Sequence, residues 1–100
     1  MNPRVFLDVD PRTLRVPGSR RSGADPFKLH RQIAQFGSSD QGMPPIEVSR
    51  GTDRELMINN KVTRATRMAQ LSPGATVRME VIDDLPIPVR RFPSIGDLVP

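Results

Sequence analysis

Pro45-Ile46-Glu47-Val48-Ser49-Arg50, Leu56-Met57-Ile58-Asn59-Asn60, Lys61-Val62-Thr63-Arg64-Ala65-Thr66-Arg67-Met68-Ala69 and Thr76-Val77-Arg78-Met79-Glu80-Val81-Ile82-Asp83 decide the fold. In the first stretch Ile46 and Val48 alternate with Glu47 and Ser49, the period of a half-buried strand. Gly51-Thr52-Asp53-Arg54 supplies a hairpin loop, and Leu56 and Ile58 alternate with Met57 in the returning strand. The third stretch changes to helical spacing, with Val62, Ala65, Met68 and Ala69 on one buried stripe. Ser72-Pro73-Gly74 stops that helix. Val77, Met79 and Val81 then form the inward face of another strand. Residues 45–83 therefore read strand, hairpin, strand, helix, strand.

The second strand enters its helix through Asn59-Asn60. The first backbone N–H groups of a helix lack partners and attract anions. Asn60 is expected to cap that helix, and Thr63 to present a hydroxyl. Lys61 and Arg64 would meet phosphate oxygens, with Arg67 adding charge. Lys61, Arg64 and Arg67 recur at i, i+3 and i+6, which the spacing assigns to a solvated edge. The same residues also describe an ordinary helix cap with a basic face in water.

Outside this unit, Val5 to Val9 reads as a short first strand stopped by Asp10-Pro11, and Leu14 to Val16 as an extended piece. Residues 19–24 form a polar loop, in which Arg20 and Arg21 could close over a phosphate or simply solubilise the loop. Asp25-Pro26 starts a helix as cap and first residue. Leu29, Ile33 and Phe36 give it one apolar stripe, Lys28, Arg31, Gln32 and Gln35 face away, and Gly37 ends it. Phe27 and Phe36 are expected in the core. His30 lies off the stripe, as a general base or a surface histidine. Glu47 and Glu80 could share the outer face of one sheet, where two carboxylates could bind magnesium or sit in water beside arginines.

The chain has 100 residues, no cysteine, one histidine and a net charge of +4. That length makes one small domain with a single modest core. With four Phe and neither Tyr nor Trp, the core rests on Ile, Val, Leu and Met, and base stacking has few rings to use. Without cysteine there is no thiol catalysis, disulfide or Cys-based zinc site. No apolar run is long enough to span a membrane, and the opening residues lack a signal peptide's apolar core, so a cytoplasmic address is expected. Thirteen of the fifteen basic residues are Arg, a choice that suits bidentate phosphate or carboxylate contacts. From 85 onward, prolines at 86, 88, 93 and 100 bar regular structure while Leu85, Ile87, Val89, Phe92, Ile95, Leu98 and Val99 remain apolar. Residues 85–100 are read as a Pro-rich segment packed on a 1–84 domain or on a protein partner.

The order of elements resembles the ParB/sulfiredoxin-like superfamily, in which a hairpin strand enters an alanine-rich helix through a short Gly- or Asn-containing turn. The pattern is nearest to the ParB-like domains of bacterial polymorphic toxins. It rests on Pro45-Ile46-Glu47-Val48, on Asn59-Asn60, on Leu85-Pro86 through Arg91-Phe92, and on Asp10-Pro11-Arg12-Thr13-Leu14-Arg15. The resemblance implies a small mixed α+β domain with two main helices and a mixed sheet. The departures bear on function. Sulfiredoxin's catalytic cysteine has no counterpart. The nucleotide-binding Gly-Glu-Arg-Arg turn of ParB is replaced by Asn60, Lys61, Val62 and Thr63, so both arginines are missing and Arg64 follows one position later. The Asp that precedes the Asn in the toxin-like branch is Asn59 here. The expectation is a degenerate, non-catalytic member that binds a nucleotide, DNA or another phosphate-bearing ligand, or a protein partner. No cofactor is expected. A nuclease or nucleotide hydrolase using magnesium, and an interaction module using the Pro-rich segment, are the alternatives.

Overall fold

The computed structural model describes residues 4–99. Residues 1–3 and Pro100, at the ends of the leading and Pro-rich segments, lie outside the described residues. Four strands, β1 (Val5–Val9), β2 (Ile46–Arg50), β3 (Leu56–Ile58) and β4 (Val77–Asp84), make one sheet in the order β1-β4-β2-β3. β1 and β3 run antiparallel to their neighbours, whereas β2 and β4 are parallel. The sheet is therefore mixed, and with its helices forms a small α+β domain. Helix α1 spans Pro26–Phe36, α2 spans Val62–Leu71, and α3 is one turn, Ile95–Leu98.

One face of the sheet carries the core. Ile46, Val48, Ile58, Val77 and Met79 from the strands pack with Val62, Ala65, Met68 and Ala69 of α2. Alanines on that helix face let its backbone approach the sheet closely. Leu14, Val16, Ile95 and Val99 complete the cluster. Arg15 N–H donates to Leu56 O and Ile58 N–H donates to Arg15 O, so residues 14–16 cover the outer edge of β3.

The start and stop expected for α1 are present, and one helical turn that was not expected, α3, forms among the prolines. Asp25 accepts a hydrogen bond from Phe27 N–H, with Pro26 at the first helical position. Gly37 ends α1 at φ 58°, a left-handed conformation that glycine adopts without strain. Ser94 and Asp97 cap α3 reciprocally.

Two expectations are corrected. First, α1 has no buried residue: Leu29 and Ile33 are half-buried, Phe36 is 39% exposed and Phe27 83% exposed. The two phenylalanines are not core, because α1 packs on α2 rather than on the sheet and a helix in that outer position buries only a narrow stripe. Second, Arg64 and Arg67 are buried, at 6% and 0% exposure, rather than solvated. Their side of α2 faces α1 and the connector that follows it. The Pro-rich segment packs on the rest of the chain, one of the two placements expected for it. Val89, Ile95 and Val99 are buried, Val16 N–H donates to Pro93 O, and Ile95 N–H donates to Leu14 O.

Candidate anion-binding cleft

The turn from β3 into α2 is tied to β2 at three points. Asn59 N–H donates to Glu47 O at 3.0 Å. Ser49 Oγ, placed by a bulge between Val48 and Ser49, donates to Asn59 Oδ1 at 2.9 Å. Asn60 Nδ2 donates to Glu47 Oε1 at 2.7 Å. Asn60 is thus committed to Glu47 and does not cap the helix. The cap position belongs to Lys61, at φ 65° and without a side-chain capping bond. The first helical bond there runs from Ala65 N–H to Lys61 O. No side chain among the described residues accepts from the N–H groups of Val62, Thr63 or Arg64, so this helix end keeps its unpaired donors.

These donors open into a cleft of about 550 Å³ between α2 and α1. Asn59, Asn60, Lys61, Thr63 and Arg64 line one side, and Lys28, Gln32 and Phe36 of α1 line the other. Arg20 arrives from the 3-10 turn Gly18–Arg20, and Met43 from the connector after α1. Four cations border the cleft, and none of its lining residues is acidic.

Arg64 is the innermost cation. Its Nη2 donates to Pro44 O at 2.5 Å, while its buried Nε has no partner. Burial lowers its pKa, opposed by the carboxylate of Asp40 and reinforced by the charge of Arg67. A guanidinium stays protonated under such pressure, so Arg64 keeps its positive charge in the cleft wall.

Six of the eight residues singled out in the sequence meet here: Asn59, Asn60, Lys61, Thr63, Arg64 and Arg20. Arg21 is exposed and does not line the cleft. Arg67 does not line the cleft but is buried behind it, against the lining residues Gln32, Phe36 and Met43. Its Nη1 donates to Gly37 O and Ser39 O, both at 2.7 Å, and its Nε donates to Gln32 Oε1. Its guanidinium also lies 5.5 Å from the centre of the Phe36 ring. Burial is the main cause of its lowered pKa. Lys28, Gln32, Phe36 and Met43 were not anticipated at the site. Their one legible signal is the i, i+4, i+8 row of Lys28, Gln32 and Phe36, which marks a common helix side without saying what it faces.

The remaining candidates lie elsewhere. Glu47 and Glu80 are opposite each other in the sheet register, but Glu47 holds Asn60 and Glu80 is paired with Arg4 at 2.9 Å. Among the described residues no group of three His, Cys, Asp or Glu could hold a metal. His30 is exposed on α1, beside Phe27 and Arg31. No helix of the described residues is long and apolar enough to cross a membrane. No protein-family model, curated protein or solved structure matches the chain.

Proposed function

We propose that the cleft binds a phosphate-bearing ligand, a nucleotide or a nucleic acid end, without turning it over, as a degenerate member of the ParB-like group would. The supporting observation is the convergence of Arg20, Lys28, Lys61 and Arg64 on an uncapped helix N-terminus with no acidic residue in the lining. Phosphate oxygens would take the α2 N–H groups and the guanidinium of Arg64. Phe36 and Met43 give the apolar part of a ligand a surface beside those charges. The cleft's volume is in the range of small-ligand sites, about 300–1,000 Å³. A catalytic reading has less support, because both sheet carboxylates that could serve a metal are engaged by other side chains.

The test is an amide chemical-shift titration with CTP, ATP and a short DNA duplex, with and without magnesium. Shifts at residues 59–64, 20, 28 and 32 are expected, with an affinity that falls as salt rises. Lys61→Gly suits the left-handed backbone there and removes one charge. It should weaken binding roughly tenfold, the equivalent of about 1.4 kcal/mol, while leaving the fold intact. No shift at millimolar ligand would remove the proposal. Magnesium-dependent turnover would replace it with the hydrolase reading.

A further inference from the structure

β1 leaves one edge of the sheet open. Val5–Val9 is paired with β4 on one side only, and among the described residues no backbone group bonds to its other side. The far edge, β3, is closed by residues 14–16. Exposed edges are usually blunted by lysine, proline or a bulge. Val5-Phe6-Leu7-Asp8-Val9 has none of these, and Asp8 is its one charged residue. Leu7, at its centre, belongs to the core-facing row yet is 37% exposed.

The sequence here is self-complementary when laid antiparallel on a second copy. Centred on Leu7, Arg4 falls opposite Asp10, Val5 opposite Val9, Phe6 opposite Asp8, and Leu7 opposite Leu7. Val5, Leu7 and Val9 then share one face, while Phe6 and the two Arg4–Asp10 pairs lie on the other. A slip of one residue would set valines and leucine against charged positions. The charges also have capacity left. Arg4 uses Nε and Nη2 on Glu80, leaving Nη1. Asp10 uses Oδ1 on Arg12 N–H, leaving Oδ2. Asp8 is exposed and makes no ion pair among the described residues.

We infer that the protein pairs with a second copy of itself through β1, joining two four-stranded sheets into one of eight. The partner's Leu7 covers the exposed Leu7, and the two Arg4–Asp10 pairs set the register. This surface belongs to β1 and none of its residues lines the cleft, so its test is independent of the phosphate titration.

The absence of cysteine in the chain makes single-cysteine variants clean reporters. Directly opposed residues in antiparallel strands have Cα atoms about 4.5–5.5 Å apart, within the disulfide range of about 4.4–6.8 Å. Leu7→Cys should therefore cross-link to its copy under mild oxidation. Val5→Cys should not, since in this register it lies about 13 Å from its own copy along the strand. An equimolar mixture of Val5→Cys and Val9→Cys should give the mixed disulfide. Sedimentation should show a dimer for the unaltered chain and a monomer for Leu7→Lys with an unchanged circular dichroism spectrum. If Leu7→Lys fails to fold, the Val5→Cys and Val9→Cys mixture decides alone. A monomer at millimolar concentration, or equal cross-linking of Leu7→Cys and Val5→Cys, overturns the pairing.

Discussion

Arg67 shows how a surface-looking residue becomes a structural one. A single guanidinium holds the carbonyls of Gly37 and Ser39, and the first of these lies just past the last turn of α1. A cation at a helix C-terminus satisfies orphan carbonyls and complements the dipole. Arg67→Met keeps most of the volume but leaves both carbonyls without their donor. It should destabilise the domain by about 2–4 kcal/mol, read from urea unfolding. Arg67→Lys should recover only part of that, because an ammonium cannot reproduce the planar fork that reaches Gln32 and both carbonyls at once. If Arg67→Met unfolds at the same urea concentration as the parent, Arg67 is not the staple described. Arg64, one turn earlier, differs in kind, since it has one carbonyl partner and an unpaired Nε beside the cleft.

Among elements, the β2–β3 loop does more than reverse the chain. Asp53 accepts from the N–H groups of Glu55, Val89 and Arg90, and so pins the Pro-rich segment to the hairpin. A side chain on Gly51 would meet Ile87 O and Val89 Cγ2 at 3.0 Å, which is why glycine sits where that segment crosses. Burial pushes the Asp53 carboxyl up, but the backbone donors of Arg90, Val89 and Glu55 together outweigh it and hold its pKa below the ordinary value. Glu80 is lowered by its hydrogen bond to Arg4, and Asp97 by the backbone and hydroxyl of Ser94. A carboxylate whose folded pKa is depressed adds stability that is complete above its unfolded pKa, about 4, and lost as pH falls through the folded value. Urea midpoints should thus be flat above about pH 5 and fall steadily below about pH 4. Asp53→Asn should lower the midpoint at neutral pH, flatten the acid decline, and speed hydrogen exchange at Val89 and Arg90. An acid profile identical to the parent's would show that Asp53 carries none of it.

At the scale of the whole molecule, the described residues after 85 pack with those before them despite the change in composition. Arg15 makes the connection visible: Nη2 donates to Glu55 in the hairpin and Nη1 to Phe92 O in the Pro-rich segment. Val89, Ile95 and Val99 each bury an apolar side chain in the molecule. At about 1.5–3 kcal/mol apiece, their loss would rival the roughly 5–15 kcal/mol that holds a domain folded. A chain ending at Asp84 should therefore lack a cooperative urea transition and bind no ligand at the cleft. A sigmoidal transition from that shortened chain would restore residues 1–84 as a domain in its own right.

Local signals were legible wherever the chain itself states them. Alternation marked β2, β3 and β4, Asp25-Pro26 and Gly37 marked the limits of α1, and Ser72-Pro73-Gly74 marked the end of α2. The cluster of residues 59–64 was legible too, because a strand running into a helix places those residues together by covalent connection. Helical spacing grouped Lys61, Arg64 and Arg67 as a solvated edge, yet Lys61 precedes the helix and the two arginines are buried. Spacing carried no information about what that edge meets, and tertiary packing set α1 against it. That contact buried Arg67, turned Lys28 and Gln32 toward the cleft and left Phe27 in water. The same division holds for the prolines after residue 85, which interrupt regular structure locally and leave only the single turn of α3. Only the three-dimensional fold decided that their apolar neighbours complete this core, because burial depends on residues far away in the chain.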